Sequence, residues 1–303
     1  MRNIFIEELI SAAEENPSIR LIVGDLGYGV IESFRERFPN QFINAGVAEQ
    51  NMMGMAAGMA SEGLHVFVYS IANFPTFRCA EQIRNDVAYH KLPVTIVSVG
   101  GGVGYGALGY SHHAIQDFSL IRSFPEMLIA SPTDEGDTRA CVRYLVSNPR
   151  PSYLRLSKGG TRIGQRNCSD IVPGRWVQKK VGKKKERAFL ATGGTLALAL
   201  AASTDNDFVF SLPLWGPTTQ ESQPNQICEF SEVISVEDHL VSGGFGSWLL
   251  ESVRHSPSLM PRIRLEALSD SICGLVGSEE NLFLRAGLSI ERLRRGLSSQ
   301  VKL

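Results

Sequence analysis

The 303-residue chain lacks any apolar run of the ~18 to 20 residues that a membrane-spanning helix needs. Its first ten residues, MRNIFIEELI, carry acids where a secretory signal would have its apolar segment, so a cytoplasmic location is expected. Cysteine is sparse. Cys79, Cys141, Cys168, Cys228 and Cys273 are scattered, odd in number and without a Cys-x-x-Cys pair. That pattern excludes a disulfide framework and a thiolate zinc site, and reads as reduced thiols. A surplus of one charge is missing too. Thirty Lys and Arg face thirty-one Asp and Glu, for a net charge of -1, whereas a broad nucleic-acid surface wants a basic excess. Neither an internal repeat nor a low-complexity tract interrupts the chain.

Apolar residues are plentiful at 43%, and the 29 glycines cluster. This length accommodates two domains of ordinary size. Residues 3–15 have the spacing of an amphipathic helix. Short apolar runs at 20–27, 41–46, 65–70, 93–99, 127–132 and 151–162 read as buried strands of a parallel sheet. Helical segments at 48–63, 78–90 and 133–147 alternate with them, the last opened by a cap spanning Thr133 to Gly136. The basic stretch 177–187, VQKKVGKKKER, reads as a solvated linker face rather than a nucleic-acid patch. Beyond it, a strand, Gly-Gly turn and helix over 187–203, strand patterns at 208–217 and 232–239 and a helix over 246–255 describe a smaller unit of the same kind. The fold class is therefore α/β, with two domains, each a mostly parallel sheet flanked by helices. Their bounds are 1–165 and 187–303, joined by a linker over 166–186.

The strongest chemical signal is FINAGVAEQNMMGMAAGMA at 42–60. Glu49 stands where a strand has ended and an almost uncharged helix begins. An acid there can simply favour the helix dipole. Met52, Met53, Met55, Ala56 and Ala57 around it suggest more: a carboxyl in apolar surroundings has a raised pKa, can stay protonated and can donate a hydrogen bond to a basic ring nitrogen.

The A-G-V-A-E-Q-N-M segment with its Ala/Gly/Met helix resembles the pyrimidine-binding domain of the transketolase family of thiamine-diphosphate enzymes. The resemblance continues in register through NFPTFRCAEQIRNDVAYHKLPVTIV, GGGVGYGALGYSHHAIQD, FPEMLIASPTDEGDT and, in the second unit, ISVEDHLVSGGFGS. It implies that Glu49 protonates N1′ of the cofactor's aminopyrimidine, and that Phe74, with Phe77, stacks on that ring. It further implies that His112 faces the substrate, with His113 structural, and that Asp25 lies near the cofactor at a subunit interface.

The chain also departs from the family. The Gly-Asp-Gly motif that binds diphosphate and a divalent metal is absent, since Gly24-Asp25-Leu26 lacks the second glycine. No metal ligand is therefore assigned. The resemblance covers only the C-terminal two-thirds of a full-length enzyme, as in E1 β subunits. Thiamine diphosphate and Mg²⁺ would be held mainly by an N-terminal partner subunit, in an α2β2 assembly where this chain also pairs with itself. Where the family has a substrate-facing aspartate, a loop histidine and an arginine, this chain has Leu108, Gly100 and Lys158; Arg2 matches a further phosphate-facing arginine. The implied activity is transfer of a two-carbon ketol unit from a ketose or ketose phosphate to an aldehyde-type acceptor. The alternatives are a decarboxylating synthase, an acyl-transferring E1 β subunit, or a scaffold without catalysis of its own.

Overall fold

The computed structural model describes residues 1–158 and 171–295, so the expected boundary at 165/166 and Cys168 lie outside the described residues. Six strands of the first half lie in the seven-stranded first sheet: β1 (Ile19–Val23), β2 (Phe42–Asn44), β3 (His65–Ile71), β4 (Val94–Val99), β5 (Leu128–Ala130) and β6 (Ser152–Leu156). They run parallel in the order β5-β6-β4-β3-β1-β2. Helices Arg2–Glu15, Glu49–Ser61 and Glu135–Ser147 alternate with the strands in sequence and cover the sheet. In the Glu49 helix, Met52, Met53, Ala56, Ala57 and Ala60 form the buried stripe. That i, i+1, i+4, i+5, i+8 pattern is the inward face of a helix.

The second half adds β7 (Val177–Lys180), β8 (Arg187–Ala191), β9 (Phe208–Ser211), β10 (Leu214–Trp215), β11 (Glu232–Leu240) and β12 (Ile263–Leu268). Five of these form a sheet of order β12-β11-β8-β9-β7, parallel except for the edge strand β7 against β9.

Three features differ from the sequence reading. The run 208–217 is not one strand: it breaks at Leu212-Pro213, and β10 crosses to pair antiparallel with β5 of the first sheet. The segment expected as a linker contains β7, and several of its basic residues are paired rather than free. Lys179 is buried on Asp134 and Asp137, 2.7 Å from each, while Lys183 and Lys185 pair with Asp205 and Glu229 at the surface. Third, the cap of the Glu135 helix is Asp134, whose carboxylate accepts from the Asp137 N–H at 2.8 Å. Thr133 instead donates its hydroxyl to Asp137 at 2.6 Å.

The halves meet around one buried guanidinium. Arg155, fully buried on β6, donates to Asp117 at 2.7 Å and to Asp238 of β11 at 2.6 Å, and also to the Ala114 carbonyl. Tyr153 donates to the same Asp117 carboxylate, and the Phe118 ring lies 4.3 Å beneath the guanidinium. Around this joint one apolar cluster runs from Met52 and Ala56 of the first half to Trp215, Phe245 and Trp248 of the second.

Removing one partner of a buried ion pair leaves charge without compensation. Arg155→Leu should therefore cost about 3 to 5 kcal/mol in urea unfolding; a loss under about 1 kcal/mol would show that the joint does not depend on it. Burial also pushes the imidazoles of His65 and His239 down to about 4. In the unfolded chain they titrate near ~6.5, so on acidification the unfolded state takes up their protons first. The share of stability due to these two imidazoles should fall as pH drops from about 6.5 to about 4 and level off below. Urea midpoints across that range test this, with His65→Leu expected to reduce the slope.

Candidate active site

Five of the six parallel strands of the first sheet deliver candidate residues at their carboxyl ends. Gly24 and Asp25 follow β1, Gly46 follows β2, Asn73 and Phe74 follow β3, Gly100 follows β4, and Ser157 and Lys158 follow β6. Because helix Arg2–Glu15 runs back toward the start of β1, its first turn places Arg2 at this same edge. There Arg2 lies close to Tyr69 of β3, whose phenol burial pushes up to about 12. Crevices at strand carboxyl ends are where open α/β sheets bind ligands.

Glu49 opens its helix and is 2% exposed. The apolar surroundings expected from the sequence exist on the helix side only. On the other side Arg78 donates to Glu49 Oε2 at 2.7 Å, an ion pair that the sequence reading did not include. The same guanidinium lies 4.9 Å from the Phe74 ring, so it occupies the slot between carboxylate and ring. The Arg78 side chain is 49% exposed and can swing outward. Cys79, next to it, is a buried thiol pushed up to about 12, first by burial and then by the Glu49 carboxylate.

From Phe74 the contacts pass to the next loop. The His112 ring stands edge-on to Phe74 at 5.4 Å and faces Tyr105 at 6.4 Å. Lys158 Nζ lies 4.9 Å over the Tyr105 ring. Asn73 pins this loop by donating to the carbonyls of Ser111 and His113, at 3.0 and 2.9 Å. A cleft of about 560 Å³ opens here, lined by Asn73, Phe74, Phe77, Arg78, Tyr110 and His113 among others. Thus Glu49, Phe74, His112 and Lys158 belong to one connected chain of contacts, with Arg78 and Tyr105 as its unforeseen links. Phe77 borders the cleft but is 42% exposed. Leu108 is 56% exposed on the loop and borders no part of that cleft. Asp25 is also exposed, a short way along the same edge. Its left-handed backbone, φ 54°, is held by a two-way exchange with the Asn44 side chain.

The Gly-rich loop has a packing explanation. A β-carbon on Gly100 would overlap the Tyr105 ring, one on Gly101 would overlap Arg155, and one on Gly102 would meet Asp238 Oδ2 at 2.5 Å. Gly100 and Gly102 also have φ of 81° and 66°, where a side chain is strained. The position where the family carries a histidine is thus filled, in space, by the ring of Tyr105. The sequence pattern gives no sign of this contact, which joins residues five apart across a tight turn.

One half of the expected cofactor is matched by these residues. A buried carboxylate beside a half-buried aromatic face suits a flat heterocycle with a basic nitrogen. Among the described residues no three His, Cys, Asp or Glu side chains converge as a metal-diphosphate group would need. No helix among them is long and apolar enough to cross a membrane.

Comparison with known proteins places these features in context. Residues 1–163 match the family model described as transketolase, pyrimidine binding domain. The chain is 30% identical to one of the subunits of apulose-4-phosphate transketolase from Phocaeicola vulgatus, covering 96% of this chain and 94% of that one. It is 31% identical to a putative transketolase C-terminal section of Methanocaldococcus jannaschii, covering 100% and 96%. Among solved structures, a split-gene transketolase described as an inactive β4 tetramer superposes with a TM-score of 0.82 at 30% identity, covering 97% and 95%.

Gly100→Ala tests the packing account of the loop. The strained φ and the overlap with Tyr105 together should cost on the order of 1 to 3 kcal/mol in thermal or urea unfolding. Adding Tyr105→Ala should recover the steric part and leave the φ strain. An unchanged midpoint in the single variant would contradict the account.

Proposed function

The chain belongs to the transketolase family, and from that premise we propose that it is one subunit of a split, thiamine-diphosphate-dependent transferase. The reaction is movement of a two-carbon ketol unit from a ketose or ketose phosphate to an aldehyde-type acceptor. The observation that carries this reading is the buried Glu49 carboxylate across from the Phe74 ring, at the carboxyl edge of a parallel sheet.

The cofactor, when bound, supplies the carbon nucleophile. In this reading, Glu49 holds a proton at Oε2 for the ring nitrogen, so Arg78 has to leave that oxygen first. Phe74 provides the stacking face and Phe77 its outer border. His112 Nδ1 is engaged by the Ser111 hydroxyl at 3.0 Å, which leaves Nε2 to exchange a proton with a substrate hydroxyl or carbonyl. Lys158 and Arg2 are the cations at this edge for an anionic group on the sugar, and Leu108, exposed on the loop outside the cleft, is assigned no contact with it. Asp25 faces the partner chain that brings the diphosphate and Mg²⁺. The split-gene relative described as an inactive β4 tetramer supports the need for that second chain, and an α2β2 assembly follows from pairing both kinds.

The test is co-expression with the N-terminal partner and mass spectrometry of products from a panel of ketose donors. Wild-type complex should form two-carbon-extended ketoses. Glu49→Gln should lower turnover by at least the ~10²-fold typical of lost acid-base help, with partner binding unchanged. Near-normal turnover in that variant would reduce Glu49 to a first-turn acid and overturn the proposal.

A further inference from the structure

Gly194 lies in the turn after β8, where the second half meets the end of β6. The space beside its Cα is bordered by oxygens from three separate elements. A β-carbon there would have Ser157 Oγ at 3.2 Å, Asp238 Oδ2 at 3.3 Å and Glu279 Oε1 at 3.7 Å as its nearest neighbours. Ser157 is 3% exposed and Asp238 fully buried, and neither Ser157 Oγ nor Asp238 Oδ2 has a hydrogen-bond partner among the described residues. Unmet polar atoms in a buried space are costly unless a ligand or water satisfies them.

Charge leads to the same conclusion. Arg155 bonds to both Asp117 and Asp238, so one carboxylate of that trio is in surplus. Glu279 and the fully buried Glu237 both lie in the field of Asp238 and add to that acid excess.

We infer that this space is a site for a hard monovalent cation, Na⁺ or K⁺, ligated by Ser157 Oγ, Asp238 Oδ2 and Glu279 Oε1. Mixed hydroxyl and carboxylate oxygens suit a hard ion. A small divalent ion such as Mg²⁺ demands octahedral geometry and keeps its waters. Glu279 begins helix Glu279–Arg285 and is only half-buried, so it forms the mouth. Burial first, and then Asp238, push its carboxyl up to about 7. The inference stands apart from the catalytic reading, because it concerns the joint between the sheets.

The experiment is thermal unfolding of the full chain at about pH 8, where Glu279 is ionised. It compares about 100 mM NaCl or KCl with choline chloride at equal ionic strength. An ion held with a Kd of about 10 mM would shift the folding equilibrium about tenfold, a rise of a few degrees. Gly194 has no positive φ, so Gly194→Ala is tolerated by the backbone and fills the space with a methyl group. That variant and Glu279→Gln should each fold and lose the difference between salts. Should Glu279→Gln not fold, Gly194→Ala decides alone. Equal midpoints in all three salts, or a difference that survives in Gly194→Ala, would overturn the site in favour of water and protons. A response to MgCl₂ alone would overturn its monovalent character.

Discussion

Arg155 directs its whole hydrogen-bonding fork into the joint between the two sheets, and the conformation of the neighbouring loops follows from that. A guanidinium between Asp117 of one half and Asp238 of the other fixes how the halves sit. It also demands that backbone come close: Gly101 lies against Arg155, Gly102 and Gly193 against Asp238. With those glycines placed, the loop beyond β4 must turn sharply, which brings Tyr105 over Gly100 and carries His112 round to Phe74. The glycine cluster is thus a consequence of the buried ion network. Its connection to the site is indirect, through the loop it shapes.

The second constraint is the direction of the strands. Because β1 to β6 pair with one another only in parallel, their carboxyl ends share one edge, and residues more than a hundred positions apart meet there. Arg2 joins them because helix Arg2–Glu15 is antiparallel to β1. This gives one side of a site: a carboxylate, an aromatic face, an imidazole and two cations. In the proposed reading, what lies opposite comes from another chain.

Much of this was legible in the sequence because parallel, doubly covered strands read as continuous apolar runs, and because Glu49 sits at a strand-to-helix junction that any such run would create. The Met/Ala stripe of its helix is likewise plain. Other features were not legible because they depend on contacts between distant residues. Arg78 is 29 residues from Glu49, so a local reading saw only apolar neighbours. Lys179 looked like one more solvated cation until Asp134 and Asp137 were placed beside it. β10 has only two residues and pairs with a strand of the other half, so the run 208–217 gave no sign of its break. The cap shifted from Thr133 to Asp134 because both residues can cap, and only the geometry distinguishes them.

The central claim is that this chain carries the pyrimidine side of a site whose diphosphate side belongs to a partner. Calorimetric titration of thiamine diphosphate with Mg²⁺ tests it most directly, first into the isolated chain and then into the complex with its N-terminal partner. The account predicts tight, saturable binding to the complex and weak or undetectable binding to the isolated chain. Equally tight binding to the isolated chain would contradict it.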